Sequence, residues 1–278
     1  MKLVKREKTQ QTLYFDSLEK FLNSSLESHT DLEIKIWIFE DQNNQEGKPL
    51  FLNALTKCIN LSILKIHLDY NEIDCRRVID LGSSFASCQS LFDLTLYLCN
   101  NQIDDDGIIG LGQALLKCAN LQKLMLDIGN NSFGQNGASG LGSAFASFPR
   151  LQILELDLYD NYIQQQGASG LVSGLSKCKN LSNLKLYIGN NDIQSKGVQG
   201  IASALQNFTK LLTLSLNLCH NSINDDGISS LGIALQYCNY LQSLALYTFG
   251  NKISRAQCLK LTKKVLRIQK LVNYKISI

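Results

Sequence analysis

The chain has 278 residues, a net charge of +3 and 45% hydrophobic residues, enough to bury a substantial core. Its start, MKLVKREKTQ, has no apolar segment of signal-peptide length, and no apolar run approaches the ~18 residues of a membrane span. These features predict a soluble, cytoplasmic protein. Only two prolines occur, Pro49 in the first turn of a helix and Pro149 between helix and strand, both permitted places. No linker interrupts the pattern, so residues 1–278 read as one domain.

In chain order, residues 1–10 carry Lys2, Lys5, Arg6 and Lys8 against Glu7, a solvated basic arm. Residues 11–30 read as an N-terminal capping segment, a helix over 12–28 with Leu18 and Phe21 facing inward. The first strand follows with Ile34, Ile36 and Ile38 inward and Asp31 where later copies have leucine. Residues 31–278 are then a series of 30-residue copies, the last truncated after its strand.

Leu61, Leu91, Leu121, Leu151, Leu181, Leu211, Leu241 and Leu271 stand at that fixed spacing. With the leucine as position 1, positions 4, 6 and 8 are apolar, as in Leu94, Leu96 and Leu98; alternation of period two marks a strand. Position 11 is asparagine at Asn71, Asn101, Asn131, Asn161, Asn191, Asn221 and Asn251, and position 17 is mostly glycine, as at Gly107 and Gly137. Then Ile108, Leu111, Leu115 and Cys118 fall at helical spacing. Each copy is therefore a strand, a turn and a helix running back. A fixed period of this length marks a solenoid in which each unit buries its apolar face against its neighbours.

The run Leu96-Tyr97-Leu98-Cys99-Asn100-Asn101-Gln102-Ile103, followed by Gly107, Leu111 and Leu115, resembles the leucine-rich repeats of ribonuclease-inhibitor type, with their LxLxxNxL strand and G-x3-L-x3-L helix. The likeness covers residues 31–278. It implies an α/β solenoid, a horseshoe or arc with parallel strands on the concave face and helices on the convex one. These copies run two residues longer than the family's commonest lengths, through the extra apolar residue at Leu94. That long variety is similar to repeats of large protist families, for which an assembly such as the cilium or cytoskeleton is a fitting setting.

The asparagine column reads as structural, its side chains bonding backbone groups of the turn and the neighbouring repeat that burial would otherwise leave unpaired. Nine cysteines invite a disulfide or metal reading. Five of them (Cys58, Cys88, Cys118, Cys178, Cys238) share position 28 with Phe148 and Phe208, which makes the slot a core position. A spacing of 30 also fits no zinc site, and no cofactor is expected. Asp104, Asp105 and Asp106, like Asp225 and Asp226, precede a helix glycine and complement the positive end of the helix dipole. The alternating ligands of a calcium loop are missing. Asn60 and Asn180 match the glycosylation pattern but abut strand starts.

The last copy departs from the others. Residues 251–278 hold eight basic residues and no acid, so the rest of the chain carries −5. On its helix Cys258, Leu261, Val265 and Ile268 take inward positions. Lys260, Lys263 and Arg267 then project outward, Lys264 replaces the small residue seen at Ala114, Ala144 and Ala234, and Lys270 follows. This predicts a basic docking patch for an acidic protein segment. Nucleic acid is disfavoured for want of interleaved aromatics, and membrane because the helix spends its apolar face on the core.

Nine strands predict a wall about 40 Å long at the ~4.8 Å strand spacing. Position 7 lines it with Trp37, His67, Tyr97, Asp127, Asp157, Tyr187, Asn217, Tyr247 and Ser277. Position 5 adds Lys65, Met125, Glu155 and Lys185, and position 9 adds Phe39, Asp69, Tyr159 and Phe249. Exposed aromatics around an acidic centre read as interface anchors, against the plainer reading of a solvated sheet face. Catalysis is not expected. His29, His67 and His220 sit in different copies without a nucleophile partner, and nothing closes over the Glu155/Asp157 pair. The sequence thus predicts a non-enzymatic protein-binding scaffold with protein partners and no small-molecule substrate. The alternative is a regulator of a nucleotide-switch enzyme, in its sharpest form a GTPase activator. Such relatives carry an acidic tail where this chain is basic, and a GTP-hydrolysis assay separates the two.

Overall fold

The computed structural model describes residues 12–36 and 47–277. Its strands are β1 (Leu13–Phe15), β2 (Asp31–Lys35), β3 (Ile63–His67), β4 (Asp93–Tyr97), β5 (Lys123–Asp127), β6 (Ile153–Asp157), β7 (Asn183–Tyr187), β8 (Thr213–Asn217), β9 (Ser243–Tyr247) and β10 (Asn273–Ser277). The helices alternate with them as α1 (Leu18–Leu22), α2 (Gly47–Lys57), α3 (Cys75–Ser84), α4 (Asp105–Leu115), α5 (Gln135–Phe145), α6 (Gln164–Leu175), α7 (Gln194–Leu205), α8 (Asp225–Ala234) and α9 (Arg255–Val265). All the strands lie parallel in one sheet, in sequence order from β1 to β10. The molecule is an α/β leucine-rich-repeat solenoid.

Alternation sets which side of the sheet is buried. In β4, Leu94 and Leu96 are fully buried while Asp93, Thr95 and Tyr97 stay partly open, and the same rhythm runs from β3 to β9 save at Ser215 of β8, which is buried as well. The buried set meets the helix stripe, where Ile108, Leu111, Leu115 and Cys118 are likewise enclosed. Phe148 and Phe208 share the buried position-28 slot with the five cysteines. Burial pushes those thiols up, Cys118 to about 12, so they are inert apolar filling.

Helix entries are capped where the sequence supplies a short polar side chain. Asp104 accepts from the Gly107 amide at 2.9 Å, and Ser254 from that of Gln257 at 3.2 Å. Asp105 and Asp225 instead reach forward one repeat, to the Gly134 amide (2.6 Å) and the Ser254 amide (2.7 Å). Asp104 and Asp105 of the triple-aspartate segment are therefore consumed in a cap and an inter-repeat bond.

Three expectations at the N-terminal end are corrected. Residues 12–28 are not one helix: β1 pairs Leu13–Phe15 with Leu32–Ile34, Ser17 caps the five-residue α1, and a 3₁₀ turn at Leu26–Ser28 follows. An apolar Leu13-Tyr14-Phe15 run beside an otherwise open sheet edge gains more from strand pairing than from continuing a helix, so the described sheet has ten strands, not nine. The frame also slips there. Asp31 pairs with Ile63, an offset of 32, so the inward set is Leu32, Ile34 and Ile36. His29, not Asp31, then holds the slot that leucine holds in later repeats, and it is buried there. Lys35, in register with His67, takes the place assigned to Trp37. Trp37, Ile38, Phe39, Ile278 and the basic arm lie outside the described residues.

Candidate functional site: the open strand face and the basic end

The helices cover one face of the sheet, and the outward side chains of the strands stand on the other. Register brings the position-7 residues side by side: His67 beside Tyr97, then Asp127, Asp157, Tyr187, Asn217 and Tyr247. Chemically this row falls into three parts.

Near β2–β4 the groups are bound to one another. Glu33 Oε1 lies 2.9 Å from both Lys65 Nζ and His67 Nε2. The His67 ring stacks on Tyr97 with centroids 4.6 Å apart and 10° between planes, and Lys65 Nζ sits 5.6 Å from the Tyr97 centroid. The Lys65 ammonium, with His67, holds the Glu33 carboxyl below its usual range. Tyr97 is thus a preorganised part of a cluster, with its ring already packed.

The centre is acidic and half-buried. Burial pushes the Asp127 carboxyl up to about 6, against a bond from the Gly129 amide and with repulsion from Asp157 and Asp69 adding to it. Asp157 is raised too, by burial and then by Glu155, while its Oδ1 accepts from the Tyr159 amide at 3.0 Å. Asn217 makes the same contact to the Cys219 amide. These residues therefore close the strand end as well as face solvent. Glu155 is paired with Lys185 at 2.8 Å rather than held as half of an acid pair with Asp157.

Beside them Asp69, Cys99 and Asp127 bring three ligand-type atoms within 4.8 Å of one another. Asp69 accepts from the Cys99 amide at 3.0 Å, and Asp127 from the Gly129 amide at 3.2 Å. The Cys99 thiol is pushed to about 12 by burial and then by Asp69. The trio is a neutral thiol between two carboxylates already used as backbone acceptors.

From the end of β6 to β9 the face is aromatic. Tyr159 is 44% exposed and Phe249 64%. Tyr187 is half-buried, its phenol raised by burial, and Lys275 Nζ stands 5.1 Å from the Tyr247 centroid.

At the basic end Lys260, Lys263, Arg267 and Lys270 are exposed, with Lys270 Nζ 4.5 Å from the Tyr240 centroid. Lys264 is half-buried, its stem lying over Gly232 of α8. Leu261, Val265 and Ile268 face inward as expected. Cys258 is only partly covered, and Leu259 and Leu266 are each 58% exposed. The apolar residues of α9 are therefore not all spent on the core, as the sequence reading assumed.

The asparagine column runs along the strand ends. Asn101 Oδ1 accepts from the amides of Asn71 (3.0 Å) and Ile73 (2.9 Å), and its Nδ2 donates to the carbonyls of Leu68 (3.0 Å) and Leu98 (2.8 Å). Asn131, Asn161, Asn191, Asn221 and Asn251 likewise bridge to the preceding repeat. Two companion columns escaped the sequence reading. Position 10 is left-handed in every copy from Tyr70 to Gly250, with φ between 49° and 73°; the Asn or Asp at 100, 130, 160 and 190 is the signal that marks it. Position 30 forms a second ladder, in which Asn60, Asn120 and Asn180 donate to the carbonyls of Glu27, Gln89 and Pro149.

No protein-family model matches this chain, and no curated protein matches it. Among solved structures it is similar to an internalin from Listeria monocytogenes, at 16% identity, over 90% of this chain and 73% of that one, with a TM-score of 0.35. No helix among the described residues is long and apolar enough to cross a membrane.

Proposed function

We propose that this chain is a non-catalytic protein-interaction scaffold of ribonuclease-inhibitor-like repeats, an adaptor within a larger assembly. The observation that carries the reading is the bare sheet face. Parallel sheets are ordinarily covered on both sides, yet here no layer of elements among the described residues lies over the outward residues of β2–β10. Strands pack about 4.8 Å apart and helices about 8–10 Å apart, so the strand side is the inner wall of an arc. That wall offers exposed aromatic area next to charge, the composition of interface anchors. Tyr159, Tyr187 and Tyr247 are the anchors in this reading, His67 and Tyr97 a rigid ledge, and Asp127, Glu155 and Asp157 the polar centre. The second contact is the basic end, where Lys260, Lys263, Lys264, Arg267 and Lys270 meet an acidic protein segment. Its setting is cytoplasmic, with a ciliary or cytoskeletal assembly as the specific case.

The test is affinity capture from native extract at low salt. A partner retained by the wild-type chain should be held over 2 kcal/mol more weakly by the Tyr187→Ala/Tyr247→Ala chain, on the scale of interface hot spots. Charge reversal on the outer helix surface at Lys177 and Lys196 should leave it unchanged. Loss through the helix-face changes alone would overturn the strand-face reading.

A further inference from the structure

The two rims of the solenoid carry opposite charge, strand by strand. The loop entering β6 holds Arg150 and the loop leaving it Asp160; for β7 the pair is Lys179 and Asp192, and for β8 it is Lys210 and Asp226. The three entering loops contain no acid. The three leaving segments, counted through the first turn of the next helix, contain one base, Lys196. Arg150, Lys179 and Lys210 are exposed, and none has a described carboxylate within 4 Å. Two of them rest on amide oxygens instead, Arg150 Nη1 at 2.8 Å from Asn120 Oδ1 and Lys210 Nζ at 3.1 Å from Asn180 Oδ1.

Parallel helices explain the sign of each rim. Every helix starts on one rim and ends on the other, and acids favour helix starts as bases favour helix ends. The dipole does not explain β9. There Lys252 and Arg255 stand at the start of α9, against its dipole, and the loop entering β9 has the exposed Tyr237 and Tyr240 where its neighbours have cations. A base on one rim is thus answered by aromatic rings on the other, not by a second base. Apolar side chains follow the same rule. Each strand whose leaving loop exposes a large apolar residue has another on its entering side: Tyr70 with Ile59 at β3, Tyr162 with Ile153 at β6, and Phe249 with Tyr240 at β9.

We propose that the acidic rim of one copy of this chain docks on the basic rim of a second, displaced along the strand direction with no shift along the solenoid. From β3 to β10 each residue pairs with the one 30 positions on, so equivalent loops stay level and both rims share one period. Unshifted stacking sets Asp160 on Arg150, Asp192 on Lys179 and Asp226 on Lys210. It also sets Tyr162 on Ile153, and Lys252 and Arg255 on the Tyr237 and Tyr240 rings, a cation–π pairing. A shift of one repeat either way brings Lys252 and Arg255 against Lys210 or against Arg267 and Lys270, so like charges reject the wrong register. Exposed ion pairs are individually weak, and the affinity comes from the row of pairs with its apolar contacts. The contact is heterologous, so it repeats from copy to copy and builds an open stack. Neither the bare strand face nor the outer surface of α9 is used, and both stay free for other partners.

The test is sedimentation velocity of the full chain as a function of concentration. At about 0.1 M salt the weight-average sedimentation coefficient should climb with concentration. At about 1 M, where the screening length shrinks from ~10 Å to ~3 Å, the midpoint of the climb should lie at least tenfold higher, and this arm needs no variant. R150E/K179E/K210E and D160K/D192K/D226K, each alone, should raise the midpoint at least tenfold as well. The chain with all six changes keeps the wild-type net charge with its rims exchanged, and should assemble as the wild type does. A wild type that stays monomeric to about 1 mM, the weak end of specific association, overturns the proposal. Assembly that ignores salt and both single-rim reversals overturns it too, by placing the contact on another surface. So does a six-fold variant that stays monomeric with the wild-type circular-dichroism spectrum. A monomer whose basic rim instead holds vesicles of anionic phospholipid, and loses them on R150E/K179E/K210E, would make that rim a membrane face and overturn the stack.

Discussion

The α5–α6 junction and the α8–α9 junction are built on one repeat template and close in different ways. In the first, backbone meets backbone. A Cβ on Gly174 would fall on the Gly142 carbonyl, and one on Gly142 would lie 2.7 Å from the Leu171 backbone. In the second, side chains do the spacing: a Cβ on Gly232 would press on Leu261 Cδ1 at 3.0 Å and Lys264 Cδ at 3.3 Å, with the Leu261 Cα at an ordinary 4.0 Å. The same gradient runs through the sheet, where Leu154 and Leu156 are fully buried in β6. Their counterparts in β10 are Tyr274, which is exposed, and Ile276, which is half-covered. Interior repeats are specified by tight fit on both sides, whereas end repeats spend the same slots on polar, charged or adaptable side chains.

Alanine at the two glycines breaks this comparison most directly. Gly174→Ala must push two helices apart and should cost about 3 kcal/mol or more, at the upper end of overpacking effects. Gly232→Ala meets only movable side-chain ends and gains helix propensity, about 1 kcal/mol. It should leave stability unchanged within about 1 kcal/mol. Denaturant titration reads both, and equal costs would show that the interior is no tighter than the end.

The asparagine ladder gives the next largest contrast. Asn161→Ala strips partners from the Asn131 amide and from the carbonyls of Ile128 and Leu158, all enclosed, and should cost about 1–3 kcal/mol. Asn251→Ala removes equivalent bonds, but Asn251 is only partly buried and water can take them over. Its loss should stay below about 1 kcal/mol. A larger loss at Asn251 than at Asn161 would mean that the last repeat is held as rigidly as the middle ones.

Most of the architecture was legible because its signals are periodic. A leucine every 30 residues, alternating strand positions and a helical stripe leave one arrangement in which all the apolar faces are covered. The N-terminal end was misread for the complementary reason. A fixed frame projected backward puts leucine's slot at Asp31, but register follows burial, and Leu32 and Ile34 pair with Leu64 and Ile66 across a frame two residues longer. The strand-face row was legible as positions but not as contacts. Nothing in spacing alone says that Glu33 would tie Lys65 to His67, or that Asp127 and Asp157 would bend back to their own strand ends.

His29 sharpens the comparison from the other end of the solenoid, with the smallest effect. It fills a core slot that leucine fills later, at 4% exposure, between Phe15 and Phe21. The Ser24 hydroxyl donates to the Phe21 carbonyl at 2.6 Å, so the 2.8 Å contact to His29 is a donation from Nε2–H to Ser24 Oγ. Nδ1 is then a bare lone pair with no partner among the described residues. Burial holds the imidazole below its ordinary value of 6.5. The unfolded chain takes up a proton as pH falls through about 6.5, whereas the folded chain resists until its lower pKa is reached. This contribution to stability is therefore complete above about pH 6.5 and is lost as pH falls toward the folded value. Asp127 works in the opposite sense, its raised carboxyl costing stability as pH rises from about 4 to 6, so the wild-type profile alone mixes the two. The difference between His29→Leu and wild type isolates the histidine. At pH 7 the leucine chain should match or exceed wild type by under about 1 kcal/mol, and its advantage should widen steadily from pH 6.5 to pH 5. Parallel profiles over that range would show that the imidazole is charged in the folded state and that the N-terminal end is not closed by an apolar slot.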